Sequence, residues 1–216
     1  MSDQANIKVL IVDDHRMFAQ GIAEALGGNE GIDVVGMARG VEEARFKSRV
    51  LTPDVVLMDY RLPDGDGASA TEMIKADRPD AKVVMITSFT DESVLLAAIE
   101  AGCSGFIPKD NSIEEVVAAV RGANVGEALI PPAMLARLLP RLRRTTGGVG
   151  SNLSPREIEV LRMMAQGLPN QAIADSLVLS LKTVRNHVQN IIAKLQTHSK
   201  LEAVSTAVRE GIVRYP

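Results

Sequence analysis

Residues 8–15 read Lys8-Val9-Leu10-Ile11-Val12-Asp13-Asp14-His15, an aliphatic run that stops on two adjacent carboxylates. A strand with one wet face alternates apolar and polar residues; a continuous Val/Ile/Leu run marks a strand covered on both faces, as in a parallel sheet. Four more such runs follow, at 32–37, 55–58, 82–86 and 105–107. Amphipathic stretches with helical spacing separate them, at 17–26, 41–50, 68–76 and 93–101, and another follows at 112–121. This alternation predicts an α/β doubly wound fold on a five-stranded parallel sheet.

In such a sheet ligands bind beyond the carboxyl ends of the strands. Asp13 and Asp14 end the first run, Asp59 follows the third, and Thr87 and Lys109 follow the fourth and fifth. These residue types fit an aspartyl phosphorylation site. A carboxylate that accepts a phosphoryl group needs a divalent cation to offset the crowded negative oxygens. Mg2+ takes hard oxygen ligands, and Asp13, Asp14 and Asp59 supply them. Phosphoryl transfer otherwise asks for positioning and charge stabilisation, which Lys109 and Thr87 provide. Taken alone, an Asp at a strand end is as often a helix cap, and a lone Lys109 or Thr87 is a solvated or filler residue. Their meaning lies in the set. His15, His187 and His198 show no ligand spacing.

The chain has 216 residues, 46% of them hydrophobic and 24% charged, an ordinary composition for one or two globular domains. No apolar stretch reaches membrane-spanning length, and Met1-Ser2-Asp3-Gln4 lacks the start of a signal peptide, so a cytoplasmic protein without a membrane partner is expected. The lone Cys103 reads as a small buried filler. The net charge of -3 hides an asymmetry. Residues 1–127 carry 12 Lys+Arg against 22 Asp+Glu, and residues 128–216 carry 12 against 5. An acidic half suits a metal and phosphate site, and a basic half suits a polyanion.

Residues 126–150 contain Pro131-Pro132, Pro140, Arg143-Arg144 and Gly147-Gly148 and read as a linker, with a short helix over 133–139. The expected domains are therefore 1–125 and 151–216. The second is all-helical. Ser154-Pro155-Arg156-Glu157 makes a capping box with Pro at the first helical position, opening a helix with Ile158, Leu161, Met164 and Ala165 inward that ends at Gly167. A short helix over 171–177 follows, then a turn with Ser180 as the next N-cap. In the third helix Val184, Val188, Ile191, Ile192 and Leu195 share one face, while Lys182, Arg185, Asn186, Gln189 and Asn190 share the other. Arg pairs bidentately with guanine, and Asn or Gln with adenine, so a four-helix helix-turn-helix domain that reads double-stranded DNA is expected, with a last helix over 201–210.

Nearly the whole chain resembles the two-component response regulators of the NarL/FixJ class, which join a flavodoxin-like receiver domain to a LuxR-type helix-turn-helix domain. Val12-Asp13-Asp14-His15, Leu57-Met58-Asp59-Tyr60 with Pro63 and Gly67, Ile86-Thr87-Ser88 and Gly105-Phe106-Ile107-Pro108-Lys109 carry the receiver resemblance. Leu153-Ser154-Pro155-Arg156-Glu157, Gly167-Leu168 before Asn170, and Lys182-Thr183-Val184-Arg185-Asn186-His187-Val188 carry the other. The resemblance implies that Asp59 takes a phosphoryl group from a cognate sensor histidine kinase, and that Asp14, beside Asp13, holds Mg2+. It also implies that Thr87 and Lys109 sense the phosphoryl group, that Phe106 is a switch aromatic, and that the active form is a homodimer on promoter DNA. Arg185, Asn186 and Gln189 would contact bases, with Lys182, Thr183 and His187 near the backbone. Plain core is the alternative reading of Phe106.

Three departures carry expectations. Leu62-Pro63-Asp64-Gly65-Asp66-Gly67 is more acidic than common family versions, which points to altered kinase recognition or metal affinity. Gln196 stands where a Gly usually ends the recognition helix, so a different helix end is expected. Pro169 replaces a common Ser and predicts a stiffer helix start. Of the rival functions, an aspartyl-phosphate phosphohydrolase needs a second Asp two residues after the nucleophile, where this chain has Arg61. A non-enzymatic regulator is expected, and a regulator that works without phosphorylation remains the alternative.

Overall fold

The computed structural model describes residues 6–88, 92–127, 130 and 153–213. Five parallel strands, β1 (Ile7–Val12), β2 (Ile32–Ala38), β3 (Val55–Met58), β6 (Lys82–Thr87) and β7 (Gly105–Pro108), form one sheet in the order β2-β1-β3-β6-β7. Between β3 and β6 lies a two-residue hairpin, β4 (Arg61–Leu62) and β5 (Gly65–Asp66), too short to leave a periodic signal. The helices are α1 (Arg16–Gly27), α2 (Val41–Leu51), α3 (Gly67–Asp77), α4 (Glu92–Glu100) and α5 (Ile113–Asn124).

Strand side chains alternate between faces, so one aliphatic run feeds two cores. Val9 and Ile11 join Leu57, Val84 and Ile86 against Ile22 and Leu26 of α1 and Val116 and Val120 of α5. Leu10 and Val12 join Val56, Met58 and Met85 against Ala44 of α2, Ile74 of α3 and Ile99 of α4. Cys103 is fully buried in the second of these layers. Each aliphatic side chain so buried contributes roughly 1.5–3 kcal/mol.

Four helices make up the described part of the second half: α6 (Pro155–Ala165), α7 (Asn170–Leu177), α8 (Leu181–Lys194) and α9 (Lys200–Arg209). The capping box forms as the sequence predicts, with Ser154 and Glu157 bonded reciprocally. Gly167 closes the helix at φ 78°. Val184, Val188, Ile191 and Leu195 are buried together, while Ile192 is half-buried. Pro169 is the N-cap of α7 and offers no side-chain bond there.

The end of α8 corrects an expectation. Gln196 takes the left-handed conformation itself, at φ 56°, and the helix stops where a glycine would have stopped it. Its N–H donates to the Ala193 carbonyl at 3.1 Å, and that of Thr197 to Ile192 at 3.0 Å. This pair of bonds satisfies the last carbonyls and, with Leu195 buried beside it, outweighs the steric cost.

The two halves touch. Lys75 Nζ, buried at the end of α3, donates to the His198 carbonyl at 3.3 Å and to that of Pro79 at 3.3 Å. Gly102, at φ 89°, lies so close to α9 that a Cβ there would stand 3.1 Å from the His198 Cβ. Arg209 and Glu100 pair at 3.8 Å. Beside this contact a cavity of about 130 Å3 is lined by Lys82, Ser104, Glu127, Gln189, Ile192 and Lys200. The sequence placed α9 behind the helix-turn-helix; it also packs on α4. The expected 133–139 helix and the Gly147-Gly148 pair fall outside the described residues. Among the described residues no helix is long and apolar enough to cross a membrane.

Candidate functional site

The carboxyl ends of β1, β3, β6 and β7 bring the candidate residues together. Backbone bonds set the registration: the Asp13 N–H donates to Ala38 at 3.0 Å, that of Asp59 to Val12 at 2.8 Å, and that of Lys109 to Thr87 at 3.1 Å. Neighbouring strands thus deliver Asp13 and Asp59 side by side, both buried. Lys109 Nζ bridges them, 2.7 Å from Asp13 Oδ2 and 2.7 Å from Asp59 Oδ2. The Phe18 ring of α1 lies under the same ammonium, 4.7 Å from Nζ to the ring centroid. Thr87 is buried at the end of β6, opposite Pro108.

Burial pushes the Asp59 carboxyl above the usual range, although the Lys109 hydrogen bond and charge pull the other way. Burial also works against the Lys109 charge, yet hydrogen bonds to Asp13 and Asp59 prevail and raise it. The nucleophile and the cation therefore depend on each other. Removing Lys109 leaves two buried carboxylates without their shared cation, whereas removing Asp59 leaves the ammonium paired with Asp13 alone.

Ligand atoms from Asp13, Asp14, His15 and Asp59 lie within 4.8 Å of one another and could hold a metal ion. The hard carboxylate oxygens suit a cation such as Mg2+. The sequence reading found no ligand spacing for His15, and the fold brings it into this cluster. Its N–H donates to Asp13 Oδ1 at 2.8 Å, and its Nδ1 lies 2.9 Å from Asp14 Oδ1. The adjacency was in the sequence, but a spacing rule looks for helical or finger intervals and passes over a turn that folds back on itself.

The acidic loop after Asp59 also reads differently in three dimensions. Asp64 accepts from the Val41 N–H at 2.8 Å and from that of Glu42 at 3.3 Å, capping α2 across 23 residues. Asp66 accepts from the Ser69 N–H at 2.8 Å and caps α3. Both carboxylates are engaged by helix amides, and neither belongs to the group that could hold a metal. Phe106 is buried in β7 among the core side chains.

On α8, Lys182, Asn186, Gln189 and Asn190 are exposed, and Thr183, Arg185 and His187 are half-buried. Thr183 shares the helix start, its N–H donating to Ser180 Oγ at 3.1 Å and its hydroxyl 2.8 Å from that oxygen. Polar ties that no sequence pattern announced hold α8 in place. Lys194 Nζ lies 2.7 Å from Glu157 Oε2, joining the last turn of α8 to the cap of α6. Burial would raise the Glu157 carboxyl, but Lys194 and Ser154 together hold it below its ordinary range. Arg156 donates to the last carbonyl of α7, Leu177, at 2.8 Å. Lys200 Nζ, almost wholly buried, donates to Leu168 at 3.1 Å and to Asn170 Oδ1 at 3.0 Å.

Comparison with known proteins covers both halves. The family described as "Response regulator receiver domain" matches residues 9–121, and "Bacterial regulatory proteins, luxR family" matches residues 151–207. The transcriptional regulatory protein LnrK of Bacillus subtilis (strain 168) is 38% identical over 216 residues, spanning 95% of this chain and 98% of LnrK. The response regulator protein VraR of Staphylococcus aureus is 37% identical over 208 residues, spanning 96% of this chain and 99% of VraR. Among solved structures, one of two RcsB dimers bound to two parallel DNAs matches with a TM-score of 0.57 at 26% identity, over 94% of this chain and 98% of RcsB. Strand ends that gather three aspartates, a threonine and a lysine, followed by a helix-turn-helix, thus occur here in a chain that belongs to the LuxR-family response regulators, transcriptional regulators with a receiver and a DNA-binding domain.

Proposed function

We propose that Asp59 is the phosphoacceptor of this regulator and that its phosphorylation governs DNA binding by α8. The observation that carries the reading is Lys109 Nζ held 2.7 Å from both Asp59 and Asp13 at the ends of adjacent parallel strands. An Asp59 carboxylate oxygen attacks the phosphorus of a sensor kinase's phosphohistidine; the P–O bond forms as the P–N bond breaks, and the imidazole leaves. Asp13, Asp14 and Asp59 would hold Mg2+, which when bound offsets the charge on the transferred phosphoryl group. Lys109 then exchanges a carboxylate for a phosphoryl oxygen, and the Thr87 hydroxyl donates to another.

Each such charge-assisted bond contributes about 1.5–3 kcal/mol. Shifting a population from about 1:99 to 99:1 takes roughly 5.5 kcal/mol, so two or three contacts suffice. The state they displace has Gln189 of α8 lining the cavity against the first domain. Phosphorylation releases that face, and a homodimer places two α8 helices in half-sites about one DNA turn apart. Domains at 1–125 and 151–216 with a linker over 126–150 accommodate this movement. The protein acts in the cytoplasm as a regulator and not as an enzyme; Arg61 stands where a phosphohydrolase would carry its second acid.

The test is mobility on a phosphate-affinity gel after treatment with Mg2+ and a small-molecule acyl phosphate, wild type beside Asp59→Ala. A shift in the wild type alone is expected. No shift in either, with folding intact, would leave a regulator that binds DNA without phosphorylation.

A further inference from the structure

Resting on that reading, we infer that Phe18 is a positioning residue for phosphoryl transfer: its ring holds the Lys109 ammonium in place while the carboxylates around it change partners. Among the described residues the ammonium has two close anionic neighbours, Asp13 Oδ2 and Asp59 Oδ2, and one aromatic face, that of Phe18 at 4.7 Å. The two carboxylates are also the groups that could hold a metal, and Asp59 is the group that would be phosphorylated. Both therefore change their claim on the lysine during the reaction. The ring changes nothing, because it ligates neither metal nor phosphoryl oxygen.

Phe18 is built for such a role. It sits in the first turn of α1, three residues after His15, and is half-buried against the core layer shared by α1 and α5. Its backbone is thus fixed by the helix that begins directly after the acid pair. Lys109 stands on the opposite flank, beyond Pro108, and its side chain is only 15% exposed. A cation over an aromatic face gains more as water is excluded, and a Trp ring holds it better than Phe. An aliphatic residue of similar bulk fills the space but offers the ammonium no negative face. Lys109 would then lean wholly on the two carboxylates and arrive late, or misplaced, at the transferred oxygens.

The experiment measures the rate of Asp59 phosphorylation by a small-molecule acyl phosphate with saturating Mg2+, in Phe18→Leu, Phe18→Trp and the wild type. Each is repeated in a Lys109→Gln background, with the thermal midpoint of each variant recorded. Phe18→Leu is expected to slow phosphorylation about three- to tenfold. Phe18→Trp should match or exceed the wild type even if it lowers the thermal midpoint, and neither change should matter once Lys109 is Gln. Rates that follow the thermal midpoints, or a Phe18→Leu loss that persists without Lys109, overturn the inference. So does a wild-type rate in Phe18→Leu, while leaving Asp59 as phosphoacceptor. Absence of phosphorylation in the wild type overturns both. Lysine side-chain NMR gives an independent reading: the Lys109 Hε protons should show a ring-current shift that survives phosphorylation, and its loss on phosphorylation also overturns the inference.

Discussion

Gln196 carries a backbone conformation that costs a residue with a Cβ about 1–2 kcal/mol. Part of that is recovered by Gly, whose own unfolded-state entropy subtracts from the gain. Gln196→Gly should therefore stabilise the chain by about 0.5–1 kcal/mol. A higher midpoint in thermal unfolding with the same DNA affinity checks it. Lys200 makes the opposite kind of demand. Burial lowers its pKa from 10.5 to about 8, with the Glu127 charge pulling it back up. Between those values the unfolded chain binds the proton and the folded chain does not, so stability rises with pH across that window. The full span corresponds to about 3 kcal/mol. Lys75, buried and held down to about 8, acts in the same direction. Lys200→Met should remove about half of the gain in urea midpoint between pH 7.5 and 9.5, and an unchanged gain would assign it elsewhere.

At the scale of elements, α2 depends on a cap far away in sequence. Asp64→Ala frees two N–H groups of α2 and should cost about 1 kcal/mol by denaturant unfolding. The rate of Asp59 phosphorylation should stay near the wild-type value, since Asp64 lies outside the cluster of ligand atoms. On α8, Arg185→Ala should weaken specific DNA binding by about 1–3 kcal/mol and relax selectivity at one base. Lys182→Ala should flatten the salt dependence instead, by a slope of about one. Titrations at several salt concentrations separate the two, and equal loss on all sequences would make Arg185 a phosphate contact.

These elements differ in how visible they were. The sheet was legible because aliphatic runs at 9–12, 55–58 and 83–86 are buried on both faces, and the capping box because its residues are three apart. Long-range pairs left no trace. Asp64 reaches Val41, Lys194 reaches Glu157 and Lys200 reaches Asn170 only after the chain has folded. The same holds for Phe18 under Lys109: the lysine alone read as a solvated charge and no sequence signal marked Phe18 until α1 and β7 met. His15 was hidden by a turn, and Gln196 by a conformational cost that local bonds outweighed.

For the molecule as a whole, Gly102 decides how closely the halves approach. Gly102→Ala adds a methyl group 3.1 Å from the His198 Cβ, at a φ of 89° that already disfavours any side chain. The substitution should part the domains, raising the radius of gyration in solution scattering and the DNA affinity of the unphosphorylated protein. An unchanged radius with the chain folded would mean that the contact yields locally. Lys75 bears on the same contact from the other side. Its amine is enclosed by carbonyls from Pro79 and His198, one from each half of the chain. When the halves separate, that nitrogen meets water. Its acylation by an amine-reactive reagent, read by mass spectrometry, is thus a built-in gauge of how much of the population stands open, and a change on phosphorylation can be followed in living cells without attaching any dye.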